Sequence, residues 1–128
     1  MAMTISGTSG ITYPDSTTQA SGSQACKAWV NFNGTGVVAI RAQYNVTSIT
    51  DNGTGNYTVN FTNTLSDANY ATNVTAGGVT IGRQPITSAS VNSSGNTVAP
   101  TTAAFTFNLV TASVTQSDAD YLNVVIFR

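Results

Sequence analysis

The sequence contains no histidine, no glutamate, one lysine and one cysteine. Without histidine, neither a Ser-His nor a Cys-His pair is available for nucleophilic catalysis, and the most common metal ligand is missing. Glycoside hydrolysis needs two carboxylates, which here would have to come from the five aspartates. The lone Cys26 excludes an intrachain disulfide. We therefore predict that the chain is not an enzyme, has no catalytic or metal-binding residue and needs no cofactor.

Charged residues of either sign are also scarce. Four cations and five anions give a net charge of −1. Nucleic-acid binding requires clustered Lys and Arg, which four scattered cations cannot provide, so we predict no nucleic-acid partner. The longest apolar runs fall well short of the roughly 18 residues that span a bilayer, and the N-terminus lacks the charged and hydrophobic regions of a signal peptide. We predict no insertion into a membrane.

Residues that branch at Cβ are abundant by contrast. Thr, Val and Ile make up 42 of the 128 residues, against three Leu. Such side chains suit a pleated sheet better than a helix. Because the hydrophobic content is 41%, the chain has enough apolar surface for a core. The composition predicts an all-β domain.

Alternation of apolar and polar residues marks individual strands. Two alternating runs, 46–49 and 57–61, flank a loop that contains Asn52-Gly53, which predicts a β-hairpin. A run at 37–46 predicts one long strand. Further strands are predicted at 28–32, 69–75, 79–81, 86–91, 104–110 and 121–127, which gives an antiparallel β-sandwich of about eight strands. Its core is predicted to contain Val30, Phe32, Ile40, Tyr44, Ile49, Val59, Phe61, Phe105, Phe107, Val124 and Ile126.

The first 25 residues differ from the rest of the chain. Ile5, Ile11 and Tyr13 are their sizeable apolar groups, and Gly, Ser and Thr fill the gaps. Such a segment cannot bury enough apolar surface to offset the cost of ordering its backbone, about 1–2 kcal/mol per residue. Two interpretations stay open: a flexible tail, or an extended segment that becomes ordered when several copies associate. We divide the chain into this short extended N-terminal segment (1–25) and a β-sandwich domain (26–128).

Polar loop residues are the candidates for a binding site. Asp118 and Asp120 offer carboxylates to a cation such as calcium, but two carboxylates are few for that ion, and a hairpin loop between the last two strands explains them as well. Asp51 and Asn52 belong to a turn in which such side chains cap the backbone. The loop candidates for ligand contact are Asp51, Asn52, Asn92, Asn96, Asp118 and Asp120.

Aromatic residues beside amides and hydroxyls form a second candidate feature, because rings stack on sugars while polar groups bind sugar hydroxyls. Most of the rings fall at inward positions of alternating strands, which favours packing in the core or between subunits over ligand binding. The rings considered are Trp29, Tyr44, Tyr57, Tyr70 and Tyr121.

Several stretches resemble the C-terminal module of tail fibre proteins from tailed bacteriophages, including cyanophages and other marine phages. The resemblance is most specific from residue 27 to residue 61 and spans nearly the whole chain. Ser16, Asn56 and Ser66 depart from the usual Gly, Asp and Pro. The stretches that carry it are GITYPDSTTQ (10–19), KAWVNFNGTG (27–36), VAIR (38–41), YNV (44–46), SITDNGTG (48–55), YTVNF (57–61), DANYA (67–71), VAPTT (98–102) and VVIFR (124–128).

The resemblance implies a virion protein of the phage tail, made in the host cytoplasm, that forms a homotrimer and takes part in host recognition. Its implied partners are other tail or baseplate proteins, through the N-terminal segment, and a host cell-surface polysaccharide as candidate ligand. Host-receptor recognition through the distal β-sandwich is the function we expect. The alternative is a purely structural fibre, baseplate or capsid-associated component without a ligand. A depolymerase is disfavoured by the lack of His and Glu.

Overall fold

The described part of the chain is built from β-strands joined by turns and loops, as the β-branched composition predicts. The structure is a computed structural model, and it describes residues 4–6, 10–12, 16, 18–19, 26–78, 86–89, 92, 94–111 and 115–128. The strands are β1 (Thr4–Ser6), β2 (Gly10–Thr12), β3 (Thr18–Gln19), β4 (Cys26–Asn33), β5 (Ala39–Tyr44), β6 (Val46–Asp51), β7 (Asn56–Phe61), β8 (Ala71–Gly77), β9 (Ile86–Ala89), β10 (Ala104–Val110) and β11 (Tyr121–Phe127).

Two four-stranded antiparallel sheets form a β-sandwich, so the predicted fold class is confirmed. Sheet 1 has the strand order β5-β4-β11-β8, and sheet 2 has the order β6-β7-β10-β9. The predicted Asn-Gly hairpin is the β6–β7 pair, in which Asp51 lies opposite Tyr57. The predicted strand at 79–81 lies outside the described residues.

The core lies between the two sheets and is rich in aromatic rings. Phe32 of sheet 1 packs edge to face against Tyr57 of sheet 2, with ring centroids 5.4 Å apart, and also contacts Phe107. Burial of each such side chain contributes roughly 1.5–3 kcal/mol. The buried apolar residues are Ala28, Val30, Phe32, Val46, Tyr57, Val59, Phe61, Leu65, Phe105, Phe107, Leu109, Ala119, Leu122, Val124 and Ile126.

Three of the predicted core residues depart from full burial. Ile40 and Ile49 are partly buried at the edge of the core. Tyr44 was predicted to be buried and this is wrong, because 56% of its surface is exposed. The cause is a β-bulge in β5, where Phe32 pairs with Ile40 but Asn31 pairs with Ala42. One extra residue, Arg41, reverses the alternation that follows it and turns Tyr44 outward.

The prediction of one strand over residues 37–46 is also wrong. Asn45 has a φ of +53° and ends β5, and the chain then enters β6 of the other sheet. Asn tolerates this left-handed conformation better than most residues. Its side chain also holds the corner, because Asn45 Nδ2 donates to the Lys27 carbonyl at 3.0 Å and Oδ1 accepts from the Asn63 N–H at 2.8 Å.

The connection between the last two strands is a crossover, so the prediction of a hairpin loop is wrong. β10 belongs to sheet 2 and β11 to sheet 1. Val110 and Gln116 form an antiparallel bridge before the chain passes to the opposite sheet. Residues 117–120 therefore link the two layers of the sandwich.

The described residues near the N-terminus form a small sheet of their own, in the order β1-β2-β3. Its strands reverse direction twice, with Ile5 opposite Ile11 in the first pair. Among the residues that the structure describes, this sheet pairs with neither sheet of the sandwich. The division of the chain at residue 25 stays a prediction.

Candidate functional site

Asp118 is a structural residue at the centre of the crossover. Its Oδ1 accepts hydrogen bonds from the Tyr57 hydroxyl at 2.6 Å and from the Gly55 N–H at 2.7 Å. The same hydroxyl lies 2.8 Å from the carbonyl oxygen of Gly34. Burial, followed by this contact with the Asp118 carboxylate, raises the pKa of Tyr57 above its ordinary value. The carboxylate thus connects the β6–β7 hairpin to the crossover.

The two other acidic candidates also form hydrogen bonds within the fold. Asp51 accepts one from the Gly53 N–H at 2.9 Å, which is the usual role of Asp in a turn. Asp120 accepts one from the Thr35 hydroxyl at 2.9 Å, which links the crossover to the loop after β4. Among the residues that the structure describes, no group of three or more His, Cys, Asp or Glu side chains could hold a metal ion. The absence of a metal site over the whole chain stays a prediction.

The amide candidates are partly brought together. Asn52 and Asn92 both line a shallow pocket of about 270 Å³, together with Asn56, Thr58, Val98 and Thr106. Asn52 Nδ2 donates to the Thr58 hydroxyl at 2.9 Å, while Asn92 Oδ1 accepts from the Asn96 N–H at 2.9 Å. Asn96 is exposed and closes the turn that Asn92 begins. The pocket contains hydroxyl and amide groups but no aromatic ring.

The outward side of sheet 1 presents a larger feature. Trp29 lies opposite Tyr44 on one side and opposite Val125 on the other, and Tyr121 lies further along β11. The exposed fractions are 38% for Trp29, 56% for Tyr44 and 53% for Tyr121. Three of the five rings are thus exposed, so the prediction that most rings face inward is wrong, although the alternation of residues 28–32 already places Trp29 on the side opposite to Val30 and Phe32. We call this surface the aromatic face and define it by Trp29, Asn31, Arg41, Tyr44, Tyr121, Asn123 and Val125.

A row of amides crosses the middle of the aromatic face. Asn31 lies opposite Asn123, and its Nδ2 donates to Asn123 Oδ1 at 2.6 Å. Asn123 Nδ2 in turn lies 3.3 Å from the Thr75 hydroxyl on β8. Each Asn side chain offers two N–H donors and a carbonyl oxygen with two lone pairs, so these bonds leave capacity for further partners. The row is a fixed line of donors and acceptors between aromatic rings.

Arg41 completes the far end of the aromatic face. The β5 bulge places its guanidinium 4.3 Å from the centre of the Tyr121 ring. A guanidinium over an aromatic face is attracted by the ring quadrupole. The four strands of sheet 1 contain no carboxylate residue.

A cleft adjoins the aromatic face beyond Tyr44. It has a volume of about 430 Å³, and its lining includes Lys27, Asn63 and Arg128. Arg128 Nε donates to Asp67 Oδ2 at 3.0 Å. The Arg128 guanidinium and the Asn69 N–H hold the pKa of Asp67 below its ordinary value. The charge of Asp67 therefore compensates that of Arg128, one of the two cations that line the cleft.

Sequence reasoning did not select Arg41, Asn31 or Asn123. Their position depends on which strands pair and on a one-residue bulge, both of which are set by contacts distant in sequence. A signal was nevertheless present, because Asn31 and Asn123 stand at polar positions of alternating strands.

Comparisons with protein-family models, with curated proteins and with solved structures give no match to this chain. Over the part of the chain that the structure describes, there is no helix with the length and apolar character needed to cross a membrane.

Proposed function

We propose that this chain is the tip module of a phage tail fibre, which forms a homotrimer in the virion and recognises a saccharide of the host cell surface. The observation that supports the proposal is the aromatic face, where three exposed rings surround a row of amides. Rings pack against the apolar faces of sugars, and amides bind sugar hydroxyls. The resemblance to fibre modules and the low net charge of −1 agree with it.

Recognition without catalysis is part of the same proposal. Three of the five aspartates form hydrogen bonds within the fold: Asp118 accepts from the Tyr57 hydroxyl, Asp51 from the Gly53 N–H of its own turn, and Asp120 from the Thr35 hydroxyl. The alternative, a virion component without a ligand, would use the aromatic face as a contact between proteins. Both functions place the chain in the virion, and they differ in what covers Trp29.

The test is binding of the purified protein to an array of bacterial lipopolysaccharides and capsular polysaccharides. We expect binding to a subset of these, and Trp29→Ala is expected to weaken it by about tenfold, or about 1.4 kcal/mol, because the ring loses its stacking contact. Val37→Ala is the matched control, since Val37 is 88% exposed but lies on a loop outside the aromatic face.

The circular-dichroism spectra of both variants should equal that of the wild type. Absence of binding to every polysaccharide, or binding that Trp29→Ala leaves unchanged, would contradict the proposal. Release of reducing sugar would identify a depolymerase instead.

A further inference from the structure

The aromatic face has two chemically different ends. At one end Trp29 and Tyr44 are cross-strand neighbours, and at the other Tyr121 lies beneath the Arg41 guanidinium. Asn31 is the next outward-facing residue after Trp29 on β4, and Asn123 is the next after Tyr121 on β11. The two amides therefore lie between the two ends of the face. The surface therefore runs from rings through amides to a ring with a cation, along the direction of the strands.

The distance between the two ends sets the size of a ligand that engages both. Val125, the partner of Trp29 on β11, is four residues from Tyr121. At about 3.3 Å per residue, the two ends lie about 13 Å apart. A single pyranose ring is shorter than this and contacts one end alone. A linear chain of linked sugars contacts both, with further rings above the amides.

We infer that the aromatic face binds an extended stretch of a linear polysaccharide, which lies along the strands and engages both ends at once. This inference rests on the proposed function and adds the size and orientation of the saccharide. The rings at the ends stack on sugars, and the row formed by Asn31 and Asn123 binds hydroxyls of the sugars between them. Arg41 adds N–H donors for ring or substituent oxygens at the Tyr121 end.

The extent of the face disfavours a second copy of the chain as the occupant. The three strands that contain the face lie about 4.8 Å apart, and with a length of about 13 Å they give a footprint of roughly 190 Å². A stable protein interface buries about 800 Å² per partner. Exposed apolar patches of modest size on a single chain are often functional surfaces. A narrow polymer matches this footprint better than a protein surface does.

The experiment compares fragments of different length. The intact protein is titrated with linear glucan, mannan and chitin oligomers of two, four and six units, and with fragments of the same lengths cut from any polysaccharide that binds on the array. Trp29→Ala and Tyr121→Ala probe the two ends, and Val37→Ala is the control outside the face. The mass of each variant in solution is measured by light scattering.

Three results are distinguishable. We expect affinity to rise steeply from two to six units, and each end variant to weaken binding of the six-unit fragment by about tenfold. Full affinity for a two-unit fragment, or an effect of one end variant alone, overturns the inference while saccharide recognition stands. No binding by the wild type overturns the proposed function as well. A change in the mass of the assembly in either end variant overturns the inference, because the face is then a contact between copies.

Discussion

The Tyr57 hydroxyl lies 2.6 Å from Asp118 Oδ1, and this contact joins the β6–β7 hairpin of sheet 2 to the crossover that enters sheet 1. Tyr57 is fully buried, whereas its partner belongs to a loop that local sequence presents as an ordinary turn. The stability of the junction therefore depends on a polar pair between distant parts of the chain.

The first prediction concerns the acceptor of this pair. Asp118→Ala removes the side-chain acceptor of the Gly55 N–H and leaves the Tyr57 hydroxyl with the Gly34 carbonyl as its acceptor. A lost hydrogen-bond partner in such a site costs about 1–3 kcal/mol. We expect the free energy of unfolding to fall by about that amount in a urea titration followed by circular dichroism.

Asp120→Ala is the matched control, because it removes a carboxylate from the same loop whose bond to Thr35 is exposed. We expect a loss of about 0.5 kcal/mol or less, as for most surface substitutions. Equal losses for the two variants would show that Asp118 is no more than a turn residue.

The second prediction concerns close approach of the backbone at Gly55. An added Cβ would lie 2.5 Å from the Leu109 carbonyl oxygen and 2.9 Å from the Ser117 nitrogen, and the φ is +68°. Gly55→Ala therefore adds a clash with the crossover to the cost of a left-handed conformation, which is roughly 1–2 kcal/mol. We expect Gly55→Ala to have a lower midpoint of thermal unfolding than a Gly→Ala variant that has only the conformational cost.

Gly36→Ala measures that cost alone. Its φ is +63°, and an added Cβ would meet nothing within 4 Å. The difference between the two variants isolates the clash with Leu109 and Ser117. If both variants melt at the same temperature, the crossover does not press against Gly55.

The third prediction is a loss of stability at alkaline pH. Burial raises the pKa of Tyr70 to about 12, and burial together with Asp118 raises that of Tyr57 from an ordinary value of 10.0. Because the folded protein holds these protons more tightly than the unfolded chain, their contribution is complete below pH 10 and is lost as the pH rises above it. Urea midpoints measured from pH 8 to pH 11.5 should fall over the upper part of this range.

Tyr70→Phe is the informative variant. It keeps ring contacts with Phe61 and Phe105 but removes the hydroxyl that bonds the carbonyls of Thr101 and Ala104. Its urea midpoint should decline less steeply with pH than that of the wild type. Parallel curves for the two proteins would assign the alkaline loss to other groups.

Local patterns in the sequence predict the strands well but not the bulge. The alternation of Tyr57, Val59 and Phe61 places all three in the core, as the structure confirms. The same rule fails at Tyr44, because one extra residue at Arg41 shifts the register of β5 against β4. A bulge is set by the partner strand, and the sequence of β5 alone does not announce it.

The candidate site was less accessible to prediction than the fold. Asp51 was correctly predicted as a turn residue, since its side chain accepts from the Gly53 N–H. Asn92, which was predicted to lie in a loop, accepts in the same way from the Asn96 N–H. Predicting the aromatic face would have required the strand order of sheet 1, in which β4 lies between β5 and β11. Strand order in a sandwich is decided by packing between residues far apart in sequence, so Trp29, Asn31 and Asn123 could not be grouped beforehand.

The fourth prediction concerns the N-terminal segment and the proposed trimer. Strands β1, β2 and β3 have two or three residues each, and within the described ranges their sheet pairs with neither sheet of the sandwich. So small a sheet cannot offset the cost of ordering its backbone, about 1–2 kcal/mol per residue, without further packing. Association of three copies around one axis would supply that packing, and a closed ring limits itself to one size.

Deletion of residues 1–25 should therefore convert the trimer into single chains without unfolding the sandwich. Light scattering is expected to give about three times the 13.2 kDa of one chain for the intact protein and a single-chain mass for the truncated one. The far-ultraviolet circular-dichroism spectrum should keep its β-sheet character, because strands β4 to β11 do not depend on β1 to β3 for pairing. A mass near 13.2 kDa for the intact chain at micromolar concentration would contradict the trimer. Loss of the β spectrum on truncation would show that the sandwich needs its N-terminal segment.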